Sequence, residues 1–427
     1  MLLEKETPFV NYLSVFLKLL QSCGKDFRHG VVNYMYTPLK EDFFVMLKRI
    51  YMMMLCLMLL LPAHAEETAT VNVNTPGREK CGKENCFWET EMDFRNEEAM
   101  WAMLTAPMTV VDGNFRAQAD VFAEPSEDSK VVADVTRSTQ GVHVLETLDN
   151  GWTKIELYSS SFAGSPNKAY NVLTTGYIQT ELLREVEVRT EFGLIVDKLT
   201  QRLYIYQDGK LFDELLVSTG LPTRSEPENE TRSGEYLLFS PSGNFWSGNY
   251  LCNYGIRYND GDLLHEVPHL EKESGDDYSR TEKLLGQRAS HGCLRVQRKR
   301  TEKGVNMRWI WNNMRNKMST RLIIWEDWQG RQMAVPDAAT PLYYNPKGGK
   351  DYHDSQDCYG VRDKYKPMTV FTWGELETEP FKGLKVCTYC NPPLREAAIQ
   401  EINAAYAPTT EYPAGTPHWR TLIEKKK

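Results

Sequence analysis

Hydrophobic and polar positions alternate with a period of two through most of residues 108–187. Val142-His143-Val144-Leu145-Glu146 alternates, Asp149-Asn150-Gly151 supplies a turn, and Trp152-Thr153-Lys154-Ile155-Glu156-Leu157 returns. Successive side chains of a strand point to opposite faces, so the pattern predicts strands with one buried face. Aspartate, asparagine and glycine supply the positive-φ positions of a tight hairpin. A further strand is expected through Gly176-Tyr177-Ile178-Gln179. From Phe192 the alternation resumes: Leu203-Tyr204-Ile205-Tyr206 and Lys210-Leu211-Phe212 flank Gln207-Asp208-Gly209, a second hairpin. Strands are expected at 215–220, 234–239, 254–258 and 263–265, and Leu322-Ile323-Ile324-Trp325 closes the series. Two stretches change to the helical period: 92–104, and 305–318 with Met307, Ile310, Trp311 and Met314 on one face. The pattern predicts a mainly β protein with a small helical component.

Residues 46–65, MLKRIYMMMLCLMLLLPAHA, break this pattern. They join a basic start at Lys48 and Arg49, an apolar core over 50–61, and Ala63-His64-Ala65 before Glu66-Glu67. That is the layout of a secretory signal peptide, and its core is shorter than the roughly 20 residues that span a bilayer. Signal peptides normally begin near the initiator, so translation is expected to start at Met46, with 1–45 a spurious or extended leader. Cleavage after Ala65 delivers the rest across the cytoplasmic membrane to the periplasm or cell wall, where disulfides are permitted. Residues 66–107 read as a polar spacer, with Cys81 and Cys86 placed for a local disulfide. The composition, 41% hydrophobic and 25% charged, is that of folded domains. A net charge of −8 argues against nucleic acid as a partner, since that calls for a basic surface. Nine cysteines are too few and too scattered for a disulfide-dense scaffold, and Cys252 is expected to be buried and structural.

Candidate chemistry concentrates in Ala289-Ser290-His291-Gly292-Cys293-Leu294-Arg295-Val296, entered after a loop and leading into a helix-forming run. A free thiol ionises near pH 8.5, so a cysteine nucleophile needs a neighbouring base. His265, at the end of an expected strand, is the candidate base for Cys293. His291 takes the lesser role of orienting the loop. Gly292 lets the backbone pass close to a substrate, and the amides of His291, Gly292 and Cys293 are candidates for an oxyanion hole. Ser290 supports the loop, while Arg295 holds it or pairs with a substrate carboxylate. Residues 269–281 read as a polar surface insertion and a candidate lid, with His269 exposed in it.

The string Ser290-His291-Gly292-Cys293-Leu294-Arg295 resembles the signature of the L,D-transpeptidases, the YkuD-type catalytic domain. The resemblance extends to Ile195-Val196-Asp197, Leu203-Tyr204-Ile205-Tyr206 and Val217-Ser218-Thr219-Gly220, and covers residues 192–327. It implies a β-rich catalytic domain with Cys293 as nucleophile, His265 as base and no catalytic cofactor. It also implies peptidoglycan stem peptides as substrate, cross-linked through a thioester on the cysteine. Two positions depart from the pattern: Arg232 in Thr231-Arg232-Ser233-Gly234, where proline is common, and Glu266, where a glycine often follows the histidine. Resolution of the thioester by water would make the protein an L,D-carboxypeptidase, and a non-catalytic wall-binding protein is a further alternative. Residues 115–122, the hairpin at Gly151-Trp152 and the closing Gly176-Tyr177-Ile178 resemble a bacterial SH3-type barrel over 108–187, a module associated with cell-wall binding. A papain-like wall peptidase pairs such modules with Cys and His in the opposite chain order.

Within residues 341–394, His353 and Cys358 form H-x4-C, and Cys387-Thr388-Tyr389-Cys390 forms C-x2-C. Four soft or borderline donors suit a tetrahedral structural zinc site, similar to compact Cys3His modules appended to other bacterial proteins. A Cys387–Cys390 or longer-range disulfide is the other reading. Trp373 and Phe381 are candidates for this module's small core, and 395–427 reads as a solvated tail. The sequence leaves the oligomeric state open.

Overall fold

The computed structural model describes residues 71–72, 87, 92–223, 225–326 and 331–405. The expected leader, signal peptide and Cys81–Cys86 pair, and the chain beyond residue 405, lie outside the described residues. The chain divides into units 1–68 and 69–427, and all described residues belong to the second. Among them, no helix is long and apolar enough to cross a membrane.

The first elements are β1 (Val71–Asn72), α1 (Glu97–Thr105) and β2 (Met108–Val111). Next come β3 (Gln118–Phe122), β4 (Val131–Thr136), β5 (His143–Thr147), β6 (Trp152–Ser160) and β7 (Tyr170–Gln179). These five form an antiparallel sheet in the order β4-β3-β7-β6-β5, after which β8 (Leu183–Val186) pairs with β2. Alternate residues fill the core of this sheet: Ala119 and Val121, Ala133 and Val135, Ile155 and Leu157, with Ile178. In β5 the expected alternation fails. A bulge between Val144 and Glu146 leaves both Val144 and Leu145 exposed.

A nine-stranded mixed sheet follows: β9 (Phe192–Asp197), β10 (Arg202–Gln207), β11 (Lys210–Ser218), β12 (Gly234–Leu237), β13 (Ser240–Ser247), β14 (Tyr250–Arg257), β15 (Leu263–Glu266), β16 (Leu294–Val296) and β17 (Arg321–Trp325). Its order is β12-β17-β9-β10-β11-β16-β15-β14-β13, and α2 (Met307–Met314) lies between the last two strands in sequence. The Asp208-Gly209 turn has φ of +50° and +81°, the two positive values that a tight two-residue hairpin requires.

Strand β9 is buried along its whole length, and its alternate residues serve two cores. Leu194 and Val196 pack with Leu203, Ile205 and Val217 against Met307, Ile310 and Met314 of α2. Ile195 faces the other way, packing with Tyr204, Tyr206, Ile323 and Trp325 against Phe87, Phe94, Met100 and Leu104. This corrects the reading of 66–107 as a spacer. Without residues 87 and 92–105 the second apolar face of the sheet would lie open to water, a large loss when each buried side chain is worth roughly 1.5–3 kcal/mol. The helix expected over 92–104 starts at Glu97, because the Asn96 side chain accepts the Ala99 amide at 3.1 Å and caps it there.

The last part contains β18 (Arg331–Gln332), parallel to β1, then β19 (Pro341–Tyr344), β20 (Asp351–His353), β21 (Thr369–Thr372), β22 (Lys385–Val386) and α3 (Glu396–Ala405). Strands β21-β19-β20-β22 make a small sheet whose core is Leu342, Tyr352, Phe371, Trp373, Leu376, Leu384 and Ile399, with Phe381 packed against it. The segment expected to be a solvated tail therefore begins as a packed helix. Ile399 of α3 is buried, and Arg395 donates to the carbonyls of Leu376, Phe381 and Leu384.

Candidate active site

Strands β15 and β16 lie side by side and parallel, with Leu264 opposite Leu294 and His265 opposite Arg295. Leu264 and Leu294 enter the core. Alternation puts His265 and Arg295 on the other face, and Cys293 sits in the bend immediately before β16. The motif thus runs into a strand rather than the expected helix. Leu294-Arg295-Val296 is paired on both sides, by β11 and β15, and helix α2 starts only at Met307. A short apolar run flanked by partners on both edges is stabilised as a central strand.

The ring Nδ1 of His265 is 2.7 Å from the Glu266 carbonyl. A carbonyl only accepts, so Nδ1 carries the proton and Nε2 is left as the basic nitrogen. Burial holds the imidazole pKa down to about 4, with the Glu266 carbonyl opposing that shift and Arg295 reinforcing it. Phe245 of β13 packs edge-on to the ring at 5.3 Å. Burial pushes the Cys293 thiol up to about 12; the Asp262 carboxylate adds to the rise and the Leu263 amide works against it. Burial thus favours the neutral form of both the thiol and the imidazole.

The loop around Cys293 is held from within. Ser290 Oγ donates to the Cys293 carbonyl at 2.5 Å and accepts the Gly292 amide at 3.2 Å. This bond turns the Gly292 amide to Ser290, so of the three amides expected in an oxyanion hole only those of His291 and Cys293 remain candidates. Gly292 has φ +120°, and a Cβ there would stand 2.6 Å from Asp262 Oδ1, so only glycine fits. Its carbonyl accepts from the hydroxyls of Thr231 at 2.6 Å and Tyr258 at 3.4 Å. Arg295 donates to the Ala289 carbonyl at 2.9 Å, fixing the loop entrance. His291 is exposed beside a cavity of about 280 Å³ lined by Phe162, Ala163, Asn229, Arg232 and Asp262. Gly220 has a similar constraint, since a Cβ there would collide with the Asn229 carbonyl. Thr219 beside it accepts the amides of Ala289 and Ser290 at 2.9 and 3.0 Å.

Behind the loop lie buried charges that sequence reasoning missed. Arg232, in the place where proline is common, pairs with Asp262 at 3.0 Å and donates to the Ser161 carbonyl at 2.8 Å. Lys198 bridges Glu230 at 2.6 Å and Glu326 at 2.8 Å, all three fully buried, and Arg288 adds contacts to both carboxylates at 3.5 and 3.2 Å. Burial raises the Glu230 carboxyl to about 7. Arg288 directly precedes the motif, so this network anchors its entry. The departure at Arg232 was the one visible signal; the pairing partners lie 30 to 128 residues apart in sequence.

One expectation for the insertion changes. His269 is buried rather than exposed: its backbone pairs with Leu251, its ring lies 4.7 Å from Tyr278, and Nε2 is 3.5 Å from Asp276. Glu266 does not crowd His265. Alternation turns its side chain to the opposite face, where it accepts from Tyr278 at 3.1 Å and Asn253 at 3.4 Å. The C-terminal donors His353, Cys358, Cys387 and Cys390 converge, their ligand atoms all within 4.8 Å of one another.

A search of curated proteins finds no match. Among solved structures, the chain is similar to an L,D-transpeptidase (Yku) from Stackebrandtia nassauensis, at 19% identity and TM-score 0.24 over 33% of this chain and 58% of that one. It is also similar to an L,D-transpeptidase from Mycobacterium tuberculosis H37Rv, at 14% identity and TM-score 0.25 over 50% and 100%. A third is the catalytic domain of the Enterococcus faecium L,D-transpeptidase, at 18% identity and TM-score 0.21 over 31% and 96%. Residues 191–324, from just before β9 to the last residue but one of β17, match the family model of the L,D-transpeptidase catalytic domain (YkuD), which thus covers under a third of the chain.

Proposed function

We propose that the chain is a cysteine-dependent L,D-transpeptidase that cross-links peptidoglycan stem peptides outside the cytoplasmic membrane. What supports this reading is that His265 lies on β15 and Cys293 immediately before the adjacent parallel strand β16, inside the matched segment, with the basic nitrogen of His265 fixed by its tautomer. As the sulfur attacks the carbonyl between the L-centre of a diamino acid and the terminal D-alanine, His265 Nε2 takes the thiol proton. The amides of His291 and Cys293 meet the developing oxyanion, a contribution of about 3 kcal/mol per donor in comparable sites. Collapse breaks the peptide bond, and D-alanine leaves with the proton from His265. An amine of a second stem then attacks the thioester, loses its proton to His265, and the thiol re-forms. No metal takes part in this sequence. The signal-peptide layout of residues 46–65 and the SH3-like pattern of 108–187 support an address at the cell wall.

The test is incubation with tetrapeptide stem fragments and, separately, with a carbapenem, followed by intact mass and product analysis. The expected results are an acyl adduct absent from Cys293→Ala and a cross-linked dimer with release of D-alanine. Turnover that survives in Cys293→Ala refutes the assignment, and D-alanine release without dimers assigns a carboxypeptidase instead.

A further inference from the structure

We infer that His353, Cys358, Cys387 and Cys390 bind one zinc ion, which staples the C-terminal sheet and fixes it against the loop that follows the catalytic strand. The distances fit such an ion. Cys358 Sγ is 3.9 Å from Cys387 Sγ, and Cys390 Sγ is 3.6 Å from His353 Nδ1. A tetrahedral zinc with Zn–S of about 2.3 Å and Zn–N of about 2.0–2.1 Å has S–S edges of about 3.8 Å and S–N edges of about 3.6 Å. Both separations are edges of that tetrahedron. A disulfide requires sulfurs about 2.05 Å apart, and all three cysteines are unpaired.

The donor chemistry selects the metal class. Thiolates and imidazole favour zinc, whereas magnesium and calcium take oxygen ligands. The surroundings suit bound thiolates, since the Tyr389 amide donates to Cys387 Sγ at 3.4 Å, a contact that orients a metal-bound sulfur and spreads its charge. Cys358, Cys387 and His353 are buried. The donors come from β20, the turn after it and the turn after β22, so one ion ties three separate segments of a module with only a small core. Modules of that size commonly need such a staple.

The residues next to the ligands also reach the catalytic domain. Thr388 and Tyr389, between two of the ligands, hold Lys299: its Nζ donates to Thr388 Oγ1 at 2.8 Å and lies 4.9 Å from the centre of the Tyr389 ring. Tyr359, next to Cys358, donates to the Arg300 carbonyl. Residues 299 and 300 begin three residues after β16 ends. The ion thus orders the groups that brace the path from the catalytic strand toward α2.

The test uses the full chain purified without chelator. Elemental analysis is expected to give one zinc per chain, and X-ray absorption a shell of three sulfurs and one nitrogen. Cys387→Ser and Cys390→Ser are expected to lose the metal, while Cys252→Ser and Cys293→Ala keep it. His353→Cys is expected to retain zinc with four sulfurs, which separates loss of a ligand from general unfolding. Removing the zinc by chelation is expected to speed hydrogen exchange at 298–301. Absence of zinc together with a 2 Da mass deficit, a different metal, or full zinc content in Cys387→Ser overturns the site. Unchanged exchange at 298–301 in zinc-free protein overturns the bracing role.

Discussion

At pH 7 a Cys293 thiol pushed up to about 12 is ionised in only about one molecule in 10⁵, against about 3% for an unperturbed thiol near 8.5. Thiolates of higher pKa are stronger nucleophiles, and with a Brønsted coefficient near 0.4–0.5 this returns roughly 40-fold over 3.5 pH units. Alkylation of Cys293 by iodoacetamide is therefore expected to run on the order of 10²-fold slower than that of a free thiol at pH 7. The rate should then climb about tenfold per pH unit between pH 7 and pH 9 without a plateau. His265, held down to about 4, is already neutral throughout this range, so its titration contributes no step. The assay is a timed pulse of isotope-labelled iodoacetamide, read on the Cys293 peptide by mass spectrometry so that the other cysteines do not interfere. In His265→Gln the alkylation profile should be unchanged, since one neutral side chain replaces another. Acylation by a carbapenem, which needs the base, should fall by about 10²–10⁴-fold. A plateau reached by pH 6 in the wild-type protein would reveal a preformed thiolate–imidazolium pair and refute the account of the resting site.

Two further predictions concern stability. Arg232→Ala leaves the Asp262 carboxylate buried without its partner and is expected to cost about 3–5 kcal/mol in a denaturant titration. Adding Asp262→Asn should recover part of that loss, and a fully additive double mutant would show that the pair is not coupled. Leu104→Ala removes a fully buried side chain from the cluster shared with Ile195 and Ile323, and is expected to cost about 2–5 kcal/mol. A midpoint unchanged by this substitution would restore the reading of residues 66–107 as a spacer.

The strand pattern was legible because each strand buries one face, and the Asp208-Gly209 hairpin because its turn needs positive φ at both positions. The position of His265 near a strand end followed from the same alternation, whereas Cys293 stood out through the motif around it, whose following strand the sequence did not reveal. Three features were hidden for different physical reasons. The covering role of Phe87, Phe94, Met100 and Leu104 was hidden because they are spaced to cover another sheet's face rather than to form a core of their own. His269 looked exposed because a polar insertion reads as a surface loop, whereas Tyr278 and Asp276 fold back over it. The Lys198, Glu230, Glu326 and Arg288 network was invisible because composition suggests that charges are solvated, and only tertiary pairing makes their burial tolerable.

The two departures from the pattern that the sequence resembles gain a common explanation from what each side chain touches. Arg232 replaces proline, neutralises Asp262 behind Gly292, and reaches the carbonyl of Ser161 in the loop after β6. Glu266 replaces glycine and accepts the hydroxyl of Tyr278, which belongs to the insertion. Each substituted residue therefore anchors a segment outside the shared pattern, and each sits one bond from the catalytic loop or base: Asp262 crowds Gly292, and the Glu266 carbonyl fixes the tautomer of His265. A proline at 232 would have no group to offer Asp262, and a glycine at 266 could still supply the carbonyl but not the link to Tyr278. Glu266→Gly should consequently disturb the insertion more than the loop around Cys293, and Arg232→Pro both, as read by hydrogen exchange of the two segments. The loop around Cys293 is held by its neighbours in the fold as much as by its own motif.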